Sequence, residues 1–125
     1  MDENELAVVV VDGALAVHKA LGPGLLESVY VAALAIELTE RRLNHEREVA
    51  IHARYRDRPL GIAYRADLIV EQKLLIEVKA VDAIHDAHVA QTLSYLRLTG
   101  LRLGLLINFT APLIKHGVKR VVNNL

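Results

Sequence analysis

Three residues of this chain are of types and spacing that could do chemistry together: Asp67, Glu77 and Lys79. Glu77 and Lys79 lie within LLIEVKA, Leu74 to Ala80, a run that otherwise reads as a buried strand. Alternation puts Leu74, Ile76 and Val78 on one face and Leu75, Glu77 and Lys79 on the other. Burying a carboxylate and an ammonium is costly unless something pairs with them. If Glu71, Gln72 and Lys73 form a three-residue hairpin loop, Val70 faces Leu74, Asp67 stands opposite Glu77, and Arg65 stands opposite Lys79. Residues so opposed share a face, with Cβ atoms about 4.5–5.5 Å apart. The two carboxylates would repel one another within an apolar sheet. A divalent cation that prefers oxygen ligands, Mg²⁺ or Mn²⁺, would reverse that sign. The same four side chains admit a second reading, a structural ion network of Arg65 and Lys79 with Asp67 and Glu77 and no metal. A loop of two or four residues would instead send the two acids to opposite faces.

The elements that must position these residues are readable from periodicity. Leu6, Val10, Ala14, Val17 and Leu21 form one helical stripe over residues 4–21, although the valine run also suits a strand. GPG at Gly22–Gly24 breaks the chain, and a second helix is expected over 26–42, with Leu26, Tyr30, Ala33, Leu34 and Leu38 facing inward. The period shifts to two over 46–55, and a turn at Arg56–Pro59 leads to a strand over 60–70. With Leu74–Ala80 these make an antiparallel meander. A helix over 84–99, ended by Gly100, precedes the apolar strand 101–109. That strand follows a helical crossover, so it is expected to pair in parallel with an earlier one. An edge strand over 117–123 closes the order ααβββαβ(β), a mixed α/β (α+β) sheet flanked by helices.

Composition narrows the function classes. The 125 residues suit a single domain spanning 1–125. They include no cysteine, which excludes disulfides, zinc–thiolate sites and a cysteine nucleophile. No signal-type leader precedes the LAVVVV run, and Asp12 ends its apolar trend, so a soluble cytoplasmic protein with no membrane role is expected. Fifteen basic residues balance fifteen acidic ones, and aromatic residues make up 4% of the chain. Both facts argue against a strongly basic or stacking nucleic-acid binder, though not against a local basic patch. At 53% hydrophobic with mean hydropathy +0.28, the chain has enough apolar surface to suggest a homo-oligomer.

Asp67, nine further residues, and then Glu77-Val78-Lys79 resemble the signature of the PD-(D/E)XK nuclease-like superfamily. GLLESVY, Gly24 to Tyr30, is similar to the motif that names the bacterial GxxExxY family within it. HKALGPG, YRADLIV, AQTLSYL and GLLINF extend the resemblance from about Val17 to Val122. Ala66 stands where the superfamily often has proline. The resemblance implies a restriction-endonuclease-like core and a nucleic-acid substrate, with phosphodiester hydrolysis by water activated at Mg²⁺ or Mn²⁺. It implies that Asp67, Glu77 and the main-chain carbonyl of Val78 hold the cation, and that Glu27 reaches the same region directly or through water. Lys79 would orient or activate the attacking water, and Gln91 and Tyr95, one helical turn apart, would support the site. A competing role for such a fold is homo-oligomeric assembly or partner binding with little or no catalysis. Glu27 near a helix start also has a plain electrostatic reason to be there. Tyr30 is expected to pack in the core.

Overall fold

The computed structural model describes residues 1–125. Helix α1 (Glu3–Leu21) begins at Asp2, whose carboxylate accepts from Glu5 N at 2.8 Å while Asp2 N donates back to Glu5 Oε1 at 3.0 Å. This reciprocal cap decides the valine run in favour of helix. Leu6, Val10, Ala14 and Val17 are buried, as the stripe predicts. Leu21, placed on that stripe, is instead exposed at the helix end. Helix α2 (Glu27–Glu40) packs on α1 at Gly13, where an added Cβ would stand 3.4 Å from Glu37 Cβ. Between the helices Gly22 and Gly24 adopt φ of +67° and +107°, a region open to glycine. Tyr30 fastens this loop from inside the core. Its hydroxyl donates to Gly22 O at 2.6 Å and accepts from Leu25 N at 3.1 Å, and its ring stacks on Phe109 with centroids 4.5 Å apart.

One five-stranded sheet follows, in spatial order β1 (His45–Tyr55), β2 (Arg58–Val70), β3 (Leu74–Lys79), β4 (Leu103–Asn108), β5 (Val118–Val122). The first three strands form the antiparallel meander, β4 pairs in parallel with β3 after the crossover helix α3 (Asp86–Thr99), and β5 is an antiparallel edge. The β2–β3 loop has the three residues anticipated, so Val70 pairs with Leu74. A short 3-10 turn, Ile114–His116, precedes β5. Pro59 lies inside β2 rather than in the turn, which shrinks to Arg56 and Asp57, both with positive φ. The mixed sheet with helices on both faces is the restriction-endonuclease-like α+β architecture.

The two faces carry separate cores. Leu68, Val70, Leu74, Ile76, Val78, Leu105 and Ile107 pack with α1 and α2. Leu75, Leu106, Leu96, Ile51 and Ala66 pack together under α3. At Gly104 a Cβ would stand 3.0 Å from Thr92 Cγ2, so glycine lets α3 lie close to the sheet. No helix is long and apolar enough to cross a membrane.

Removing only the Tyr30 hydroxyl leaves Gly22 O and Leu25 N without their partner. Tyr30→Phe should cost about 1–3 kcal/mol in urea unfolding. Unchanged stability would mean that the loop is held by its glycines alone.

Candidate active site

Glu77 is 1% exposed, on the α3 side of β3. Its neighbour across the hairpin is Asp67, positioned by an interruption of the sheet. The β2–β3 ladder ends at the Leu68–Ile76 pair. Two residues beyond Ile76, Val78 N donates 2.8 Å to Asp67 Oδ2 instead of to a backbone carbonyl. Both strands of the first hairpin change phase at this point. Leu68 and Val70 belong to the α1/α2 core, whereas Ala66 belongs to the α3 core and Tyr64 packs against it. On β1, Glu48 has φ of +50° between the paired residues Arg47–Leu68 and Val49–Ala66. The one-to-one register continues through this point, so a left-handed turn of the backbone, with no inserted residue, re-aims the side chains. Here it brings Tyr64 and Asp67, which strict alternation would separate, to the same carboxylate.

Neither Glu77 oxygen has a hydrogen-bond partner, and both are buried. The carboxyl is held up to about 8, first by burial; the Tyr64 hydroxyl opposes this, and the charge of Asp67 adds to it. The Tyr64 hydroxyl is therefore close, but it stops short of hydrogen-bond geometry with either oxygen. Lys79 lies near enough to favour the charged form as well, though less than these groups. Tyr64 stacks on Tyr95 of α3, with centroids 3.7 Å apart and planes within 6°. Burial, and then the neighbouring Glu77, push both phenols up.

The arrangement brings together Asp67, Glu77, Val78, Lys79 and Tyr95 of the residues anticipated from sequence. Glu27 opens α2 as an exposed residue, and no group of three or more acidic or histidine side chains stands close enough to hold a metal ion. Gln91 is exposed, one turn from Tyr95, with no side-chain hydrogen bond. Arg65 is exposed beyond the end of the β2–β3 ladder, so the pairing expected with Lys79 does not form. The ion-network reading finds no support, because the chain's salt bridges join Arg41 to Asp12 and to Glu37. Tyr64 is the site residue that sequence reasoning missed. Period-two alternation assigns it to the face away from Asp67.

Two carboxylates, one of them with both oxygens unsatisfied, and the adjoining Val78 carbonyl make a hard oxygen donor set suited to Mg²⁺ or Mn²⁺. Asn108 keeps this end of the sheet in register. Its side chain accepts from Val81 N at 3.1 Å and donates to Val81 O at 2.8 Å, tying the segment after Lys79 to β4. Neither Asp67 nor Glu77 lines any of five surface cavities of the molecule.

The Glu77 shift gives a signed prediction. Unfolded, this side chain loses its proton near 4.5; folded, it keeps it to about 8. Between those values the native state binds more protons, so stability in chelator falls as pH rises through that window. At about 1.4 kcal/mol per unit, the loss is on the order of 3–5 kcal/mol. Glu77→Gln should flatten this part of the curve and be the more stable form at pH near 8, read by urea unfolding across pH. A wild-type curve rising over the same window would contradict the buried, unpaired carboxyl.

Comparison with known proteins agrees with this geometry. No curated protein and no solved structure matches the chain. A family model described as the PD-(D/E)XK nuclease superfamily matches residues 4–121, nearly the whole length and all of the site. With Asp67 and Glu77 meeting where β2 parts from β3, and Lys79 two residues on, the chain belongs to the PD-(D/E)XK nuclease superfamily.

Proposed function

We propose that this chain is a metal-dependent nuclease of the GxxExxY type, a single domain hydrolysing phosphodiester bonds of nucleic acid in the cytoplasm. The observation that carries the reading is the buried Glu77 carboxylate, with both oxygens unpartnered, beside Asp67. A carboxylate left so in an apolar sheet is unfavourable for folding. Its retention is accounted for if a cation completes it in the working protein. Asp67, Glu77 and the Val78 carbonyl would hold Mg²⁺ or Mn²⁺, which when bound supplies charge for activating water and for stabilising the phosphorane-like transition state. Lys79, free of any carboxylate partner, would donate to a non-bridging phosphate oxygen and orient the attacking water. The Tyr64–Tyr95 stack walls one side of Glu77 and limits water there. Gln91, on the exposed side of α3, would meet substrate rather than cation, and Glu27 would act only through intervening water.

A second role, assembly of identical chains, is favoured by one surface. Val8 and Leu15 of α1 and Leu113 are 71%, 37% and 53% exposed and line a common apolar groove. Burying such a groove against another copy would complete the apolar stripe of α1.

Incubation with DNA and RNA substrates plus Mg²⁺ or Mn²⁺ should give cleavage that falls at least about 100-fold in Glu77→Gln and in Lys79→Met. Cleavage surviving both substitutions would come from a contaminant. Thermal melts should show Mn²⁺ raising the midpoint of the wild type and not of Glu77→Gln, because only a bound native state is stabilised by ligand. Light scattering that gives a single-chain mass at micromolar concentration would remove the assembly role.

A further inference from the structure

The distal half of the β1–β2 hairpin leaves the body of the molecule. From Arg58 to Ala63 every residue of β2 is exposed, and on β1 so are His52, Arg54 and Tyr55. β3 ends at Lys79 and its ladder with β2 ends at Leu68–Ile76, so this ribbon has no strand on its inner side. β2 runs antiparallel to β3, so the ribbon projects from the end of the sheet at which Lys79 stands. Arg58 precedes Asp67 by nine residues, a reach of roughly 30 Å at about 3.3 Å per residue, less what the bulges take up.

Charge on this arm departs from the balance of the whole chain. Residues 52–65 contain Arg54, Arg56, Arg58 and Arg65 and one acid, Asp57, in a sequence with fifteen residues of each sign. None of these arginines has a carboxylate partner. Arg54 donates to the Asp57 carbonyl at 2.6 Å, which braces the turn without neutralising it, and Arg56 lies 5.5 Å over the Tyr55 ring. Arg56 and Asp57 both have positive φ, the requirement of the two-residue turn that matches strand twist. Pro59, Gly61 at φ +96° and two register shifts against β1 break the edges, which discourages a second copy from adding as a strand. Like charge at the tip opposes the same partner.

We propose that this arm grips duplex DNA, seating in the major groove with Arg54, Arg56 and Arg58 on the flanking phosphates. Resting on the nuclease reading above, it names the substrate class of that site. A two-stranded ribbon fits the B-form major groove, whereas the A-form groove is too narrow for side chains to enter. The arm would hold the duplex while the strand lying against Lys79 meets Asp67 and Glu77. It places the basic surface that net charge does not disclose at the site end of the sheet.

The test is fluorescence anisotropy with a labelled duplex of roughly 30 base pairs in chelator, so that binding is read without cleavage, between about 50 and 200 mM salt. The wild type should bind with a steep salt slope. The variant R54A/R56A/R58A should bind at least about tenfold more weakly at the low-salt end, with a slope shallower by about 2–3. R54K/R56K/R58K should keep the slope, since lysine preserves the charge. Circular dichroism of the alanine variant should match the wild type. Equal binding by the alanine variant overturns the proposal. So does preference for single-stranded DNA or duplex RNA, or a dimer that dissociates in Leu60→Ser/Ile62→Ser, which would assign the arm to a second copy. Duplex cleavage with Mg²⁺ alongside unchanged binding by the alanine variant would sink the arm and leave the nuclease reading standing. Arm-dependent binding without hydrolysis in Mg²⁺ or Mn²⁺ would support the arm and sink the nuclease reading.

Discussion

The hydrogen bond from Val78 N to Asp67 Oδ2 holds the place where the sheet opens. A backbone N–H buried at the end of a ladder needs an acceptor. The carboxylate of Asp67 supplies it. In doing so it frees β2 from β3, because the pairing that would otherwise continue past Leu68–Ile76 is replaced by a side chain. The same bond fixes Asp67 against Glu77 and leaves the other Asp67 oxygen available. An apolar residue at position 67 would leave Val78 N unsatisfied and remove half of the oxygen donor set at once.

Glu77 carries the complementary strain. It lies on the face of Leu75, Leu96 and Leu106 with neither oxygen hydrogen-bonded, and its carboxyl is pushed up to about 8. Such a group costs stability in the isolated fold. The surrounding structure is firm enough to hold it. β3 and β4 are buried along their lengths apart from half-buried Lys79, Gly104 admits α3 against the sheet, and the Tyr64–Tyr95 stack stands beside the carboxylate. Strain concentrated at one well-supported side chain is a common property of sites that await a ligand.

Much of this was legible in the residue order because it follows from local rules. The three-residue loop at Glu71–Lys73 sets the β2–β3 register and places Asp67 beside Glu77. The crossover through α3 makes β4 parallel to β3. Harder to read were the features that depend on distant packing. Tyr64 escaped because alternation is a local rule, and the phase change at Glu48 and Asp67 comes from two different helical layers claiming successive stretches of the same strands. Glu27 lies in the stretch that resembles the GxxExxY motif, yet it is exposed on an element that packs against the opposite face, outside any three-acid group. Gln91 shares a helical stripe with Tyr95, but the stripe passes from half-buried at Tyr95 to exposed at Gln91 within one turn.

By itself, then, the sequence determined the order and type of the elements, the hairpin register and the pairing of one acid with another. Capping, turn length and two-residue periodicity act over a few residues and need no partner from elsewhere in the chain. Tertiary structure decided which side of the sheet each carboxylate faces, that Tyr64 rather than Glu27 adjoins Glu77, and that the β1–β2 ribbon stands clear of the body. Those outcomes depend on where β3 stops and on which helix covers each face, and both are set by contacts between segments far apart in the chain.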